Sequence, residues 1–85
     1  MNDRKNIISI IKRVWATELP FSDFSVTDDF FELGGNSLKL IAVLDKLQKI
    51  PELKFIDELT VIELFDTPIL DNLATLIESK LLKPS

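Results

Sequence analysis

Apolar residues recur at intervals of three and four along most of this 85-residue chain, which is the spacing of one face of a helix. In the first stretch Ile7, Ile11, Val14 and Trp15 carry this pattern. No segment alternates apolar and polar residues with the period that a half-buried strand requires. The pattern predicts an all-α fold, a small four-helix bundle of three main helices and a short third one. The predicted helices cover about residues 2–18, 37–49, 58–65 and 68–82.

A long loop, residues 19–36, separates the first two predicted helices and is rich in Pro, Gly, Ser and Asp. Loops longer than about 12–15 residues without regular structure are uncommon in compact domains and are often functional. Four of the six phenylalanines lie in this loop: Phe21, Phe24, Phe30 and Phe31. We interpret Phe30 and at least one other as core residues that pin the loop to the helices. A ligand-binding role for the set is the secondary alternative.

Polar residues and prolines mark the predicted helix ends. Asn36 and Ser37 are both suitable N-caps for the second helix. In the pair Thr67-Pro68, the threonine is expected to cap the fourth helix and the proline to occupy its first position. The apolar residues of the predicted third helix lie on one side of it: Leu59, Ile62 and Phe65.

The second helix has two apolar faces. The first is expected to be core: Leu40, Val43, Leu44 and Leu47. The second begins at Ser37 and continues with four residues that are candidates for partner docking: Leu38, Ile41, Ala42 and Asp45. Either the bundle buries a wide apolar stripe here, or this second face is an exposed docking surface.

Composition excludes several classes of function. A net charge of −4 argues against a nucleic-acid partner, which needs a basic surface. The chain has no His and no Cys, so conventional catalytic triads, disulfides and most transition-metal sites are not expected. No apolar run reaches the ~18 residues of a membrane span, and no secretory signal is seen. We expect one cytoplasmic, monomeric domain over residues 1–85, and Met1 just before the first helix favours a stand-alone protein.

The candidate chemistry is concentrated in residues 28–38, Asp-Asp-Phe-Phe-Glu-Leu-Gly-Gly-Asn-Ser-Leu, where the loop becomes the second helix. Gly34 and Gly35 permit backbone conformations that side chains forbid. Ser37 lies at the positive end of a helix, where an anion is favoured. A serine at this position is most often a plain helix cap. The pattern also suits a hydroxyl that enters another protein's active site and then carries a phosphate.

This stretch resembles the core motif of peptidyl and aryl carrier domains, the thiolation domains of nonribosomal peptide synthesis. That family typically reads Asp-Asn-Phe-Phe-Asp-Leu-Gly-Gly-His/Asn-Ser-Leu; here Asp29 stands in place of its Asn and Glu32 in place of its second Asp. The likeness extends to Trp15 in the first helix and to residues 63–68 before the last. It implies an acyl carrier protein-like bundle. Ala42 departs from many such carriers, which have Arg there.

The resemblance implies that Ser37 is the attachment point of 4′-phosphopantetheine, flanked by Gly34, Gly35 and Asn36. A phosphopantetheinyl transferase would donate the group from coenzyme A, and its thiol would hold an aminoacyl, aryl or acyl group as a thioester. The chain would therefore be a shuttle and not an enzyme, and no metal is implied. The other implied partners are an adenylating loading enzyme or acyltransferase, and condensation, tailoring or thioesterase enzymes.

The charge on the second helix indicates which subtype of carrier the chain resembles. Lys39, Lys46 and Lys49 outnumber Asp45 there, and the Asp-Ser-Leu motif of fatty acid carriers is missing. Both features favour a peptidyl or aryl carrier over a fatty acyl one. A polyketide-type acyl carrier protein is one alternative. The other is a non-modified helical interaction module in which Ser37 only caps its helix.

Overall fold

The computed structural model describes residues 3–21, 23–53 and 59–82, and within these ranges it contains helices and no strand. In chain order the elements are α1 (Asp3–Glu18), α2 (Ser37–Gln48), a short 3₁₀ turn (Pro51–Leu53), α3 (Val61–Asp66) and α4 (Leu70–Leu82). The predicted all-α bundle with a long first loop is confirmed, whereas the 3₁₀ turn was not predicted. The predicted start of the first helix at residue 2 lies outside the described residues. The third helix was predicted to start at residue 58, but residues 59 and 60 are not helical and α3 begins at Val61.

The core lies between α1, α2, α4 and the long loop. Trp15 on α1 is its largest buried side chain, and its ring centroid lies 5.6 Å from that of Phe24 and 5.3 Å from that of Phe30. The loop phenylalanines at 24 and 30 are thus pinned to α1, as predicted. On α2 the predicted core residues Leu40, Val43 and Leu47 are buried, and Leu44 packs against them at the edge. None of the described buried residues is charged or polar.

Backbone hydrogen bonds join the long loop to the start of α4. The amide of Phe30 donates to the carbonyl of Pro68 at 2.9 Å, which forms a single antiparallel bridge between Asp29 and Ile69. In return, the loop carbonyls of Asp28 and Val26 accept from the Leu70 and Asp71 amides at 3.0 and 2.8 Å. These carbonyls satisfy first-turn amides that a capping side chain would otherwise have to satisfy.

The prediction that Thr67 caps the fourth helix is therefore wrong, because the loop carbonyls satisfy the first amides of α4, which begins at Leu70. Thr67 instead ends α3: its amide donates to the carbonyl of Leu64 at 3.3 Å, and its hydroxyl donates to the carbonyl of Glu63. Pro68 precedes α4 and accepts from the loop, so it does not occupy the first helical position.

The prediction that the apolar residues of the third helix share one face is also wrong. Leu59 is buried but precedes α3, which Thr60 caps and Val61 begins. With that start, Leu64 is the residue of α3 that points into the core, while Ile62 and Phe65 are exposed.

Among the described residues, none of these helices has the length and apolarity that crossing a membrane requires.

Candidate functional site

A tight turn over residues 29–35 leads the chain from the loop into α2. The side chain of Asp29 organises it, since its Oδ1 accepts from the Phe31 amide at 2.8 Å and its carbonyl accepts from the Leu33 amide at 3.2 Å. Gly34 and Gly35 donate to the carbonyls of Phe31 and Phe30 at 3.2 and 3.0 Å. The Asp29 side chain supplies one of the turn's acceptors, so this departure from the family pattern retains a short side chain that can bond the following amides.

The two glycines serve different purposes. Gly34 has φ +103°, a conformation that L side chains rarely adopt, and a Cβ there would meet nothing within 4 Å. At Gly35 a Cβ would lie 2.3 Å from the Phe30 ring and 2.7 Å from the Phe30 carbonyl oxygen. Gly34 therefore makes the turn possible, and Gly35 lets the backbone cross a fully buried phenylalanine.

Asn36 is the N-cap of α2. Its backbone is extended, its side-chain Oδ1 accepts from the Lys39 amide at 2.9 Å, and its carbonyl accepts from the Leu40 amide at 2.9 Å. Of the two predicted cap candidates, the structure thus selects Asn36 over Ser37. This geometry contradicts the capping role that the alternative of a non-modified interaction module gave to Ser37, and modification of Ser37 stays a prediction.

Ser37 is the first residue of α2 and is exposed. Within the described ranges, no side chain or backbone group bonds its hydroxyl. The amides of Ser37 and Leu38 belong to the first turn and have no acceptor inside the helix. No acidic residue lies in that first turn. A phosphodiester on Ser37 would meet free amides and the positive end of the helix dipole, with no carboxylate in the turn to repel it.

The residues predicted to form a docking face are brought together on the solvent side of α2. Leu38 is 78% exposed and Ile41 51% exposed, so this face is not part of a wide buried stripe. Ala42 is half-buried between them and the core, and Asp45 is exposed and forms an ion pair with Lys49 at 3.1 Å. The docking role of these residues stays a prediction.

Two exposed apolar residues on α3 were not predicted as surface features. Ile62 is 69% exposed, and the partly exposed ring of Phe65 stacks on Phe31 with centroids 5.5 Å apart and planes 26° apart. A signal for them exists in the sequence, because Thr60-Val61-Ile62-Glu63 has the Thr-x-x-Glu form of a capping box. That motif locates the start of α3 and hence which residues face solvent.

An all-α bundle that presents a free serine hydroxyl at a helix start has the arrangement of a covalent carrier, and the absence of His and Cys from the sequence agrees with this class. The model of the family described as "Phosphopantetheine attachment site" matches residues 9–77. The chain belongs to this family, whose members carry covalently attached 4′-phosphopantetheine. It is accordingly a carrier domain and not a catalyst.

Similar proteins are large synthetases. The chain is 38% identical over 66 residues to bacitracin synthase 3 of Bacillus licheniformis and 34% identical over 68 residues to gramicidin S synthase 2 of Brevibacillus brevis. These alignments cover 78% and 80% of the chain but 1% of each synthase. A non-canonical nonribosomal peptide synthetase, FrzA of Cladobotryum sp., is 30% identical over 82 residues, or 94% of the chain and 8% of that protein. No solved structure matches the chain significantly.

Proposed function

We propose that this chain is a peptidyl carrier domain of nonribosomal peptide biosynthesis and that its 4′-phosphopantetheine is attached to Ser37. The proposal rests above all on the Ser37 hydroxyl, which is exposed at the start of α2 while Asn36 performs the capping that would otherwise occupy it. The other serines of the chain lack the flanking Gly-Gly and the preceding turn. The synthetases to which the chain is similar support the assignment to peptide biosynthesis.

The attachment is a phosphoryl transfer to the Ser37 oxygen. Ser37 Oγ forms the new P–O bond as the phosphoanhydride bond of coenzyme A breaks, adenosine 3′,5′-bisphosphate leaves, and the serine proton passes to a base. No acidic residue lies in the first turn of α2, so the transferase supplies that base. When bound, the group supplies a thiol that carries an aminoacyl or aryl group as a thioester.

The turn and the helix start then hold the attachment point. Amides at Ser37 and Leu38 that have no acceptor within the helix would be available to the phosphodiester oxygens, and Gly34 leaves open space beside the turn. Tethering the substrate to a fixed hydroxyl raises its effective concentration at each successive enzyme. The carrier thereby contributes position, and the partner enzymes contribute the chemistry.

The proposed partners are enzymes that act on the loaded arm. They comprise a phosphopantetheinyl transferase, an adenylating loading enzyme or acyltransferase, and condensation, tailoring or thioesterase enzymes. They dock on the exposed face of α2 next to Ser37, where Leu38 and Ile41 supply apolar contact area and Ala42 and Asp45 complete the surface. A monomeric, cytoplasmic carrier without nucleic-acid or membrane partners is part of the same proposal.

Intact mass spectrometry tests the attachment site. The purified chain is incubated with coenzyme A, Mg²⁺ and a promiscuous phosphopantetheinyl transferase. Wild type is expected to gain one phosphopantetheinyl group, and Ser37→Ala none. Ser9→Ala removes another exposed serine and is expected to be modified like wild type. Modification of Ser37→Ala, or no gain by wild type with several transferases, would refute the proposal.

Loading of the modified chain then distinguishes a peptide pathway from a polyketide pathway. It is offered ATP, amino or aryl acids and adenylating enzymes in one reaction, and malonyl-coenzyme A with a malonyl transferase in another. Aminoacyl or aryl adducts in the first reaction support a peptidyl carrier. Adducts formed only in the second would assign the chain to polyketide synthesis and overturn the peptide assignment while leaving Ser37 in place.

A further inference from the structure

The short helix α3 depends on its surroundings for stability. It has six residues, and isolated helices shorter than about 12–15 residues are marginal in water. Leu64 alone of its described residues is fully buried. Its outer face carries Ile62 and Phe65, and the Phe65 ring stacks on Phe31 in the turn that leads to Ser37. α3 therefore contacts the turn that precedes Ser37.

One side chain, Glu63, uses one carboxylate oxygen at the start of α3 and the other to join α3 to α4. Oε1 accepts from the Thr60 amide at 3.0 Å, and the Thr60 hydroxyl accepts from the Glu63 amide at 3.2 Å, which completes a capping box. Oε2 forms an ion pair with Lys80 Nζ of α4 at 3.0 Å. The same carboxylate therefore both starts α3 and fixes it to α4.

The other ion pairs between helices have a different character. Lys46 with Glu18 joins α2 to α1, and Arg4 with Asp71 joins α1 to α4, but these are long helices that also share a buried interface. Exposure does not distinguish the pairs: Glu63 and Lys80 are 34% and 15% exposed, and Glu18 and Lys46 are 17% and 41% exposed. The Glu63–Lys80 pair is the one that holds a helix with little core of its own.

We propose that Glu63 is a positioning residue for modification of Ser37: through Thr60 and Lys80 it fixes α3, and through the Phe65–Phe31 stack it fixes the turn that presents Ser37 to the transferase. This inference rests on the proposed function. The turn is sensitive to Phe31 because the carbonyl of Phe31 accepts from the amide of Gly34. Loss of the pair loosens α3 first and the Gly34 end of the turn second, whereas Gly35 is held by the buried Phe30.

Substitutions can separate the two functions of the carboxylate. Glu63→Gln keeps an N3 side chain that still forms the capping box and removes the ion pair. Lys80→Gln removes the pair from the other side, and Thr60→Ala removes the box while leaving the pair. Glu18→Gln is the matched control, because it breaks a carboxylate–lysine pair between two other helices.

Amide hydrogen exchange measures whether loss of the ion pair loosens α3 and the Gly34 end of the turn. In Glu63→Gln and in Lys80→Gln we expect the Leu64 and Thr67 amides to exchange about three- to fivefold faster, the upper part of the range for loss of a partly exposed ion pair. The Gly34 amide is expected to follow in the same direction, and the Gly35 amide to change less. The double variant Glu63→Gln/Lys80→Gln is expected to match the single ones, because the two substitutions remove the same interaction. Glu18→Gln is expected to leave α3 unchanged.

Transferase kinetics measure whether loss of the ion pair alters the presentation of Ser37 to the enzyme. For Glu63→Gln and Lys80→Gln we expect the KM for the carrier to rise about threefold with kcat unchanged, because presentation of the hydroxyl is altered and its chemistry is not. Unchanged α3 exchange, or faster exchange with an unchanged KM, overturns the inference and leaves Ser37 as the attachment site. If wild type is not modified at all, the proposed function fails, and the exchange data still decide whether Glu63 fixes α3.

Discussion

Gly35→Ala is the substitution that the geometry constrains most sharply. The added methyl would lie 2.3 Å from ring carbons of Phe30 and 2.7 Å from its carbonyl oxygen, well inside contact distance. Neither the Phe30 ring nor the Phe30 carbonyl can move freely. The Phe30 ring is fully buried with its centroid 5.3 Å from that of Trp15, and the Phe30 carbonyl accepts from the Gly35 amide itself. The turn must therefore deform or the core must open.

Overpacking a well-filled core costs typically 1–3 kcal/mol, and a clash with both ring and backbone belongs at the upper end, about 3 kcal/mol. For a domain of this size, a loss of ~3 kcal/mol lowers Tm by roughly 12–24 °C. Gly34→Ala is the matched control, since it meets no atom within 4 Å and bears only the cost of a side chain at φ +103°. That backbone cost is about 1–2 kcal/mol.

Thermal and urea unfolding followed by circular dichroism compares the two alanine variants with wild type. Gly35→Ala is expected to lose clearly more stability than Gly34→Ala. In a Phe30→Leu background the penalty of Gly35→Ala should shrink without vanishing, because the ring is removed and the carbonyl contact remains. Equal losses for the two glycines, or a penalty unchanged by Phe30→Leu, would show that the close approach to Phe30 is not what requires Gly35.

Two further predictions concern the helix starts. Asn36→Ala is expected to cost about 1 kcal/mol, because it leaves the Lys39 amide without its acceptor, whereas Ser37→Ala should change stability by less than about 0.5 kcal/mol. Equal losses in urea titrations would contradict the assignment of the cap. Hydrogen bonding to Lys80 lowers the pKa of Glu63 from its usual 4.5, so the stability it adds is present above that value and is lost as pH falls through the lower, folded-state pKa. The stability difference between wild type and Glu63→Gln should therefore shrink as pH is lowered below about 4.5; a difference that stays constant down to pH 3 would contradict it.

Periodicity in the sequence was sufficient for the long helices and insufficient for α3. On α2, Leu40, Val43 and Leu47 face the core as the pattern predicted, because a long amphipathic helix has one way to bury its stripe. A six-residue helix has too few apolar positions for that argument. Its start depends on the Thr60 cap, and an error there placed Leu59, Ile62 and Phe65 on one face, although Leu59 is buried and the other two are exposed.

Long-range backbone hydrogen bonds explain why the predicted start of the fourth helix was wrong. Thr67-Pro68 has the local chemistry of a helix start, yet α4 begins at Leu70, because the carbonyls of Val26 and Asp28 serve its first amides. Backbone carbonyls carry no sequence signature, so the partner segment some forty residues earlier could not be recognised from the sequence. The motif around Ser37 was recognisable because the Asp29 and Asn36 side chains bond nearby amides and the two glycines meet local backbone and packing demands.

The residues that build the turn are distinct from Ser37, the proposed attachment point. Asp29, Gly35 and Asn36 each make contacts that fix the turn or start the helix, and Phe30 anchors them to the core. Ser37 makes none of these contacts, although it directly follows Asn36. A group can therefore be added to its hydroxyl without breaking a hydrogen bond that stabilises the fold. A carrier must remain folded in its unmodified, modified and loaded forms, and a serine that doubled as the cap would link that stability to its modification.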